Sequence, residues 1–144
     1  MSDINKKQDE LIEEFKFFDD WMDKYEYIIE MGKTLPLIGE QYKTEDYIIK
    51  GCQSRVWLHA DMKGEHVHFT ADSDAIITKG IIALLIRVLS GEKASDIAKA
   101  DLYFIDKIGL KEHLSPTRSN GLLSMLKQMK MYGLVADSKG LVDG

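Results

Sequence analysis

The single cysteine of the chain, Cys52, is the residue best suited to covalent chemistry, because a thiolate can attack a substrate or exchange sulfur with another thiol. It follows Gly51 and precedes Gln53 and Ser54, where a loop enters a predicted strand. A loop position can present a thiol to a partner. Gly51 has no Cβ and can adopt a positive φ, so the loop can turn inward or outward. Free cysteine is also often buried, and a purely structural role stays open on these residues alone.

One cysteine limits the kinds of site that the chain can form. It excludes an internal disulfide and a CxxC redox site, and structural zinc normally needs several thiolates or suitably spaced histidines. His66 and His68 share a face of a predicted strand, with His59 expected across the hairpin from His68. Solvated outer-face residues are the commoner explanation for such histidines. We therefore predict no metal site and no cofactor, and the lone thiol favours the reducing cytoplasm.

Length, charge and hydropathy indicate one ordinary globular domain. The chain has 144 residues, 44% of them apolar, which is enough for one hydrophobic core. Its 19 Lys and Arg and 24 Asp and Glu are scattered, with a net charge of -5, which argues against nucleic acid as a partner. The longest apolar run, Ile81–Ile86, is far shorter than the ~20 residues of a membrane span. No apolar stretch near the start resembles a signal segment.

The first third of the chain is predicted to form two helices and an ordered loop. Apolar residues recur at helical spacing between residues 11 and 18. The acidic pair at residues 19–20 offers an N-cap for a second helix, and Gly32 is a natural end for it. Residues 33–47 lose this periodicity and contain Pro36 and a glycine, so we interpret them as a loop.

Alternating apolar and polar residues predict an antiparallel hairpin in the middle of the chain. Its strands cover residues 55–60 and 66–71, with a turn at residues 63–65. Asp72, Ser73 and Asp74 then provide a cap and a first-turn acid for an apolar helix that reaches about Leu89 and lies across the sheet. This order of elements predicts an α+β fold in which a small antiparallel sheet packs against several helices.

The last third of the chain is predicted to be helical. Two short helical pieces are expected around residues 96–99 and 102–108. Ser115 followed by proline is a strong helix start, and the buried stripe that follows fades near Gly133. We therefore predict a single domain over residues 1–144, with a core from about residue 8 to 134 and a loose tail over 135–144.

Three sequence blocks carry a resemblance to a known family. They occur in the family's order and approximate spacing: Gly51, Cys52, Gln53 and Ser54 with Val56 and Trp57; Asp72–Ala75 with Ile77, Lys79 and Gly80; and His113–Pro116 with Arg118, Gly121 and Met125. A weaker match between Tyr25 and Pro36 extends it. On these blocks the chain resembles the SufE family of sulfur acceptors and its close relative CsdE. The resemblance implies a single SufE-like domain with a fold similar to that of SufE and IscU.

The resemblance also implies a function. A PLP-dependent cysteine desulfurase, of the SufS or CsdA type, leaves a persulfide on its own cysteine, and Cys52 takes the terminal sulfur. The chain would then be an accessory sulfur-transfer protein, with no small-molecule turnover of its own. It would stimulate the desulfurase and pass sulfur on for iron–sulfur cluster assembly through a scaffold such as the SufBCD complex. Delivery to other acceptors, as for CsdE, is the close alternative.

The neighbours of Cys52 are expected to shape its reactivity. Gly51, Gln53, Ser54, Arg55 and Trp57 form the predicted loop and thiol environment. An unperturbed cysteine, with a pKa of ~8.5, is only a few per cent ionised at neutral pH, so some activation is needed. Arg55, Arg118 or groups of the desulfurase are the candidate sources.

A persulfide is easily reduced or oxidised, so we also predict a sheltered Cys52 on a movable loop, in an apolar pocket near Ile49, Val56 and Trp57.

Arg118, Asp74 and His113 are candidates for partner docking or for positioning the thiol. Asp74 in a first helical turn would also be explained by the helix dipole alone. Arg118 lies near a helix start, where a cation is unfavourable, so a salt bridge or a docking contact explains it better. His113 has the plainer alternative of supporting the helix entry.

Two other functions fit the sequence less well. A Cys/His hydrolase lacks a recognisable nucleophile motif, and an iron–sulfur scaffold normally needs several thiolates where this chain has one. Monomer and homodimer both stay open.

Overall fold

The structure, a computed structural model, describes the backbone of residues 3–143 and the side chains of residues 3–138. Within these residues, helices pack against a three-stranded antiparallel sheet of order β1-β2-β3, which confirms the α+β prediction. In chain order the elements are α1 (Ile4–Phe15), α2 (Trp21–Gly32), β1 (Val56–Lys63), β2 (His66–Ser73), α3 (Ile76–Leu89), β3 (Glu92–Lys93), α4 (Ala94–Lys99), α5 (Phe104–Lys107), α6 (Leu110–His113) and α7 (Pro116–Asp143).

A side-chain cap fixes the start of α2, and burial of an apolar residue fixes the start of α1. The Asp20 carboxylate accepts a hydrogen bond of 2.9 Å from the backbone N–H of Asp23, which confirms the predicted cap of α2. Gly32 ends that helix, as predicted. Helix α1 begins at Ile4, which is buried in the main hydrophobic core. The core therefore starts a few residues before the predicted boundary at residue 8.

The predicted hairpin is present. Val56 lies opposite Ser73 and Lys63 opposite His66, so a two-residue turn joins the strands, and Gly64 takes the positive φ of 64° that the turn requires. The inward side chains of both strands are buried against the helices. Strand β3 was not predicted. It is only two residues long and pairs with the first two residues of β2.

The ordered loop before β1 covers both edges of the hairpin at one end. Ala71 of β2 exchanges backbone hydrogen bonds with Pro36 and Ile38. Ile49 donates its N–H to the Val56 carbonyl of β1 at 2.8 Å. The Tyr42 ring of the same loop stacks on His59, with 3.8 Å between ring centroids. The loop thus reaches residue 50 in a defined conformation.

Helix α3 runs through the centre of the molecule. Its residues from Ile81 to Ile86 are all buried, as its apolar composition predicts. It crosses α2 so closely that a Cβ on Gly80 would overlap the backbone carbonyl of Ile28. Gly80 is therefore a contact residue between two helices, at a position where any side chain would force them apart.

The predicted cap of α3 was wrong. The helix begins after Ala75, no side chain caps it, and its first turn has no acid. The Ser73 hydroxyl instead accepts from the Ala75 N–H at 3.2 Å, within the turn that leaves β2. The Asp74 carboxylate is turned towards β1, where it meets the end of the Cys52 loop.

The segment before α7 contains one helix more than predicted. Gly109 ends α5 with a φ of 76°, as expected of a C-terminal glycine, and α6 follows it at once. Helix α6 is a single turn, too short to show apolar periodicity.

Helix α7 begins where predicted and ends later. The Ser115 hydroxyl accepts from the Arg118 N–H at 3.3 Å, which confirms the cap. The predicted end near Gly133 was wrong because the helix continues to Asp143, while the loose tail over residues 135–144 stays a prediction. A Cβ on Gly133 would lie 2.9 Å from Ile97 Cγ2, so this glycine allows α4 to approach closely. Residue 144 lies outside the described residues.

Candidate functional site: the Cys52 cavity

The Cys52 loop is shaped by the glycine that precedes it. Gly51 has a φ of 96°, which side-chain-bearing residues rarely adopt. A Cβ at this position would also overlap the Ser124 hydroxyl of α7. Both constraints require glycine, and together they turn Cys52 inward against α7.

The thiol of Cys52 is half-buried and held in its neutral form. Its S–H donates to the Gly121 carbonyl of α7, with 3.7 Å between sulfur and oxygen. Burial raises the pKa of the Cys52 thiol above its ordinary value, since a thiolate is poorly solvated there. No charge among the described residues offsets this effect. Neither Arg55 nor Arg118 therefore activates the thiol in the isolated chain.

Cys52 opens into a cavity of about 250 Å³ between the loop, α3 and α7. Its walls are formed by Cys52, Gln53, Ser54, Ala75, Thr78, Ile81, Thr117, Arg118, Gly121 and Met125. The cavity is far larger than the ~30 Å³ that one water molecule occupies in the liquid, and so has room for a further sulfur atom. The prediction of a sheltered thiol agrees with this geometry, but its walls were misassigned. Ile49 and Val56 face the core, and Trp57 lies outside the cavity.

Three side-chain hydrogen bonds hold the end of the Cys52 loop to neighbouring elements. The Asp74 carboxylate accepts from the Arg55 backbone N–H at 3.1 Å, and the Ser73 hydroxyl donates to the Arg55 carbonyl at 2.8 Å. One position earlier, Ser54 Oγ lies 3.2 Å from Thr78 Oγ1 of α3. The loop is thus fixed at Ser54 and at Arg55. Asp74 acts on the loop backbone and not on the thiol directly.

The other predicted residues divide between the cavity and the surface. Arg118 is exposed on the cavity rim and forms no ion pair with the described residues. The Arg55 side chain is exposed outside the cavity. Trp57 lies on the outer sheet face, where the Lys43 ammonium is 5.7 Å from its ring centroid. His113 stacks on Trp21 at 4.1 Å, so it supports the entry to α7 and lies apart from the cavity lining.

Sequence reasoning did not identify Thr78, Ala75, Ile81 or Thr117 as cavity residues. Gly121 and Met125 were noted only as part of a matching block. The spacing of Thr117, Gly121 and Met125 places them on one face of a helix, and that signal was available. Which face meets Cys52 depends on packing, and the sequence does not show it.

The histidines do not converge. In the hairpin register Asp61, and not His59, lies opposite His68, while His59 faces Thr70. The expectation that His59 stands across from His68 was therefore wrong. His66 bonds instead to the Gly91 carbonyl at 2.7 Å. Among residues 3–138, no group of three or more His, Cys, Asp or Glu side chains is arranged to hold a metal ion.

Within the part of the chain that the structure describes, no helix combines the length and apolar composition that a membrane crossing needs.

Fold and site together define a class: an α+β protein with one thiol, sheltered beside a cavity and presented by a glycine-dependent loop. The family model of SufE, described as an Fe-S metabolism associated domain, matches residues 9–133. The chain therefore belongs to the SufE family. This membership supports a sulfur-acceptor role in iron–sulfur metabolism.

Individual relatives agree with this membership. An uncharacterized SufE-like protein of Rhizobium etli is 44% identical over 127 residues, covering 85% of this chain and 86% of the relative. A second uncharacterized SufE-like protein, from Rhizobium meliloti, is 43% identical over 127 residues, which cover 85% of this chain and 91% of the relative. SufE-like protein 1, chloroplastic/mitochondrial, of Arabidopsis thaliana is 37% identical over 99% of this chain and 39% of the plant protein.

A solved structure supports the fold. The solution structure of a hypothetical protein from Thermus thermophilus aligns with a TM-score of 0.76 and 23% identity, over 92% of this chain and 96% of that one.

Proposed function

We propose that this protein accepts persulfide sulfur on Cys52 from a PLP-dependent cysteine desulfurase and carries it towards iron–sulfur cluster assembly. One observation supports this most directly: the only cysteine of a SufE-family chain lies beside a cavity with room for a second sulfur atom. A structural cysteine would fill its space without leaving room beside its sulfur. The SufS-type desulfurase is the first expected partner, and a SufBCD-type scaffold is the expected recipient.

The transfer is a thiol exchange in which atoms and electrons balance. The Cys52 thiolate attacks the terminal sulfur of the desulfurase persulfide, so that a new S–S bond forms at Cys52. The S–S bond on the desulfurase breaks, its electron pair goes to the desulfurase cysteine, and the proton lost by Cys52 restores that cysteine as a thiol. The sulfur atom passes without an external oxidant or reductant.

Activation of Cys52 belongs to the complex with the desulfurase. In the isolated chain the thiol is neutral, because burial raises its pKa. Its S–H donates to the Gly121 carbonyl. Efficient attack at neutral pH therefore requires that docking move the loop or supply a base. Arg118 on the cavity rim is the residue of this chain best placed to contact the partner or the incoming sulfur. The chain thus acts as an accessory to an enzyme and has no turnover of its own.

Mass spectrometry tests the proposal. The protein and its Cys52→Ser variant are incubated with a cysteine desulfurase and cysteine, and the modified residue is located by peptide mapping. We expect a gain of one or more sulfur atoms on Cys52, removable by reductant and absent from the variant, together with faster cysteine turnover by the desulfurase. An unmodified Cys52 with an unchanged desulfurase rate would contradict the proposal.

Delivery to acceptors outside cluster assembly, as in CsdE-like trafficking, is the alternative within the family. The geometry of the Cys52 cavity is compatible with both. Incubating the persulfidated protein separately with an iron–sulfur scaffold and with other thiol acceptors, and following the labelled sulfur, distinguishes them.

A further inference from the structure

Two hydroxyl groups lie together in the wall of the Cys52 cavity. Ser54 Oγ and Thr78 Oγ1 are 3.2 Å apart, and both residues line the cavity. Thr78 is only 7% exposed, although it carries a polar group. Buried hydroxyls are normally satisfied by hydrogen bonds, so the partners of this pair matter.

One of the two hydroxyl hydrogens of this pair has no acceptor among the described residues. Each hydroxyl has one hydrogen to donate, and the bond between them uses one of the two. A threonine within a helix often donates to a carbonyl of the preceding turn, but Thr78 makes no such bond. Neither residue donates to any other acceptor among the described residues. One O–H is therefore left for an occupant of the cavity.

The two sides of the cavity suit two different states of Cys52. The Gly121 carbonyl can only accept, so it stabilises a neutral S–H. A persulfide is more acidic than a thiol, so its terminal sulfur is readily anionic. An anion gains from an O–H donor and is repelled by a carbonyl oxygen. With an S–S bond of about 2 Å, the terminal sulfur extends beyond Sγ into the cavity.

We propose that the Ser54–Thr78 hydroxyl pair is a binding site for the anionic terminal sulfur of persulfidated Cys52. The inference rests on the proposed function, since it concerns the product of the transfer. On persulfidation the sulfur exchanges the Gly121 carbonyl for a hydroxyl donor. Ser54 and Thr78 are positioning residues that keep the terminal sulfur deprotonated, and therefore nucleophilic, within the cavity.

The test measures the pKa of the Cys52 persulfide. Inorganic polysulfide loads the isolated chain at alkaline pH, where Cys52 ionises: the Cys52 thiolate attacks the terminal sulfur of a hydropolysulfide anion, the adjacent S–S bond breaks, and the shortened polysulfide dianion leaves. The rate of persulfide alkylation by iodoacetamide is then followed against pH by mass spectrometry. We expect Ser54→Ala/Thr78→Val to raise the persulfide pKa by about one unit, a tenfold loss in ionisation, because a hydrogen bond to a charged group is lost. An unchanged profile in the double variant would overturn the inference.

Three further variants separate the hydroxyl effect from a packing effect. Thr78→Ser keeps the hydroxyl and is expected to keep the wild-type pH profile, while Thr117→Val removes an exposed hydroxyl of the same cavity and should also leave it unchanged. A rise of the same size in Thr117→Val would overturn the assignment to Ser54 and Thr78. Should the double variant not fold, Ser54→Ala and Thr78→Val are measured singly, and no rise in either would overturn it.

Because loading by polysulfide needs no desulfurase, the two proposals fail separately. A Cys52 that accepts no sulfur from a desulfurase, but shows the expected shift after polysulfide loading, would contradict the proposed function and leave the hydroxyl site standing.

Discussion

At the scale of single residues, the site combines a thiol that is easily found in the sequence with an environment that is not. Cys52 is the only residue of its type, and Gly51 before it signals an unusual turn. That the thiol would be neutral at rest follows from burial against α7, which depends on the whole fold. Of the candidate sources of activation, neither Arg55 nor Arg118 offsets the burial of the thiol in the isolated chain.

The raised pKa of Cys52 predicts how its reactivity depends on pH. For the isolated chain, the midpoint of iodoacetamide alkylation should lie at higher pH than for the same chain unfolded in urea. Because the folded pKa exceeds the unfolded one, the neutral thiol contributes stability below the unfolded pKa, and this contribution is lost as pH rises through the folded pKa. A folded midpoint at or below the unfolded one would contradict the structure.

Arg118 offers a second residue-scale prediction. Its side chain is exposed on the cavity rim without an ion-pair partner among the described residues, so Arg118→Ala should change the free energy of unfolding by less than about 0.5 kcal/mol. Sulfur transfer from the desulfurase to Cys52 should fall at least about tenfold, as for the loss of a charged contact.

Arg55→Ala is the matched control, since Arg55 is an exposed arginine at the end of the Cys52 loop and outside the cavity. Equal losses of transfer in both variants would mean that net positive charge, and not the position of Arg118, matters. Unfolding of Arg118→Ala would assign it a structural role.

At the scale of elements, glycines decide how closely helices approach one another. A Cβ on Gly80 would overlap the Ile28 backbone, so Gly80→Ala should destabilise the protein by about 1–3 kcal/mol despite alanine's better helix propensity. Gly121→Ala is the matched substitution in α7. Its Cβ would lie an ordinary 3.5 Å from Cys52 Sγ, so it should stabilise by about 0.5–1 kcal/mol. Urea denaturation of both variants checks the opposite signs, and equal signs would contradict this account.

The same glycines show why some elements were predictable and others were not. Helix α2 was predicted at both ends because Asp20 and Gly32 act locally. Gly133 looked like a helix end, yet it lies inside α7, because a glycine that stops a helix and one that admits a neighbour are identical in sequence. Strand β3 is formed by pairing with β2 alone, and two residues have no pattern of their own.

The walls of the Cys52 cavity were likewise predictable from the sequence only in part. Its loop wall was predicted from the residues around Cys52, whereas the walls from α3 and α7 depend on tertiary packing. The aliphatic residues Ile49 and Val56, expected to shelter the thiol, were needed for the core instead.

At the scale of the whole molecule, one polar cluster joins the first three helices. Glu14 of α1 accepts from the Arg87 guanidinium of α3 at 2.9 Å and from the Tyr27 hydroxyl of α2. The hydrogen bond from Arg87 holds the pKa of Glu14 below its ordinary value, with a smaller contribution from Tyr27.

Glu14→Gln should therefore lower the free energy of unfolding by about 1–2 kcal/mol at pH 7. A depressed folded pKa contributes stability above the unfolded value, and the contribution is lost as pH falls through the folded pKa. The difference between wild type and variant should thus be full at pH 7 and shrink below about pH 4.5, the unperturbed value. Urea denaturation at several pH values measures it.

Glu13→Gln is the control for this cluster. Glu13 is 69% exposed and pairs with Lys16 on the same helix, so its replacement should cost less than about 0.5 kcal/mol. A similar loss in both variants would mean that helix charge, and not the Arg87 contact, accounts for the effect.

The loop that precedes β1 also affects how the molecule behaves at high concentration. A bare strand edge is a template for edge-to-edge aggregation with another copy. Here the backbone of Ala71 is capped by residues 36–38, and β1 is covered at Val56 by Ile49. The far end of β1 instead carries the exposed charged residues Asp61 and Lys63, which disfavour pairing with another strand. Shortening the loop would remove this cover from both strands, and so leave a chain prone to form intermolecular sheets.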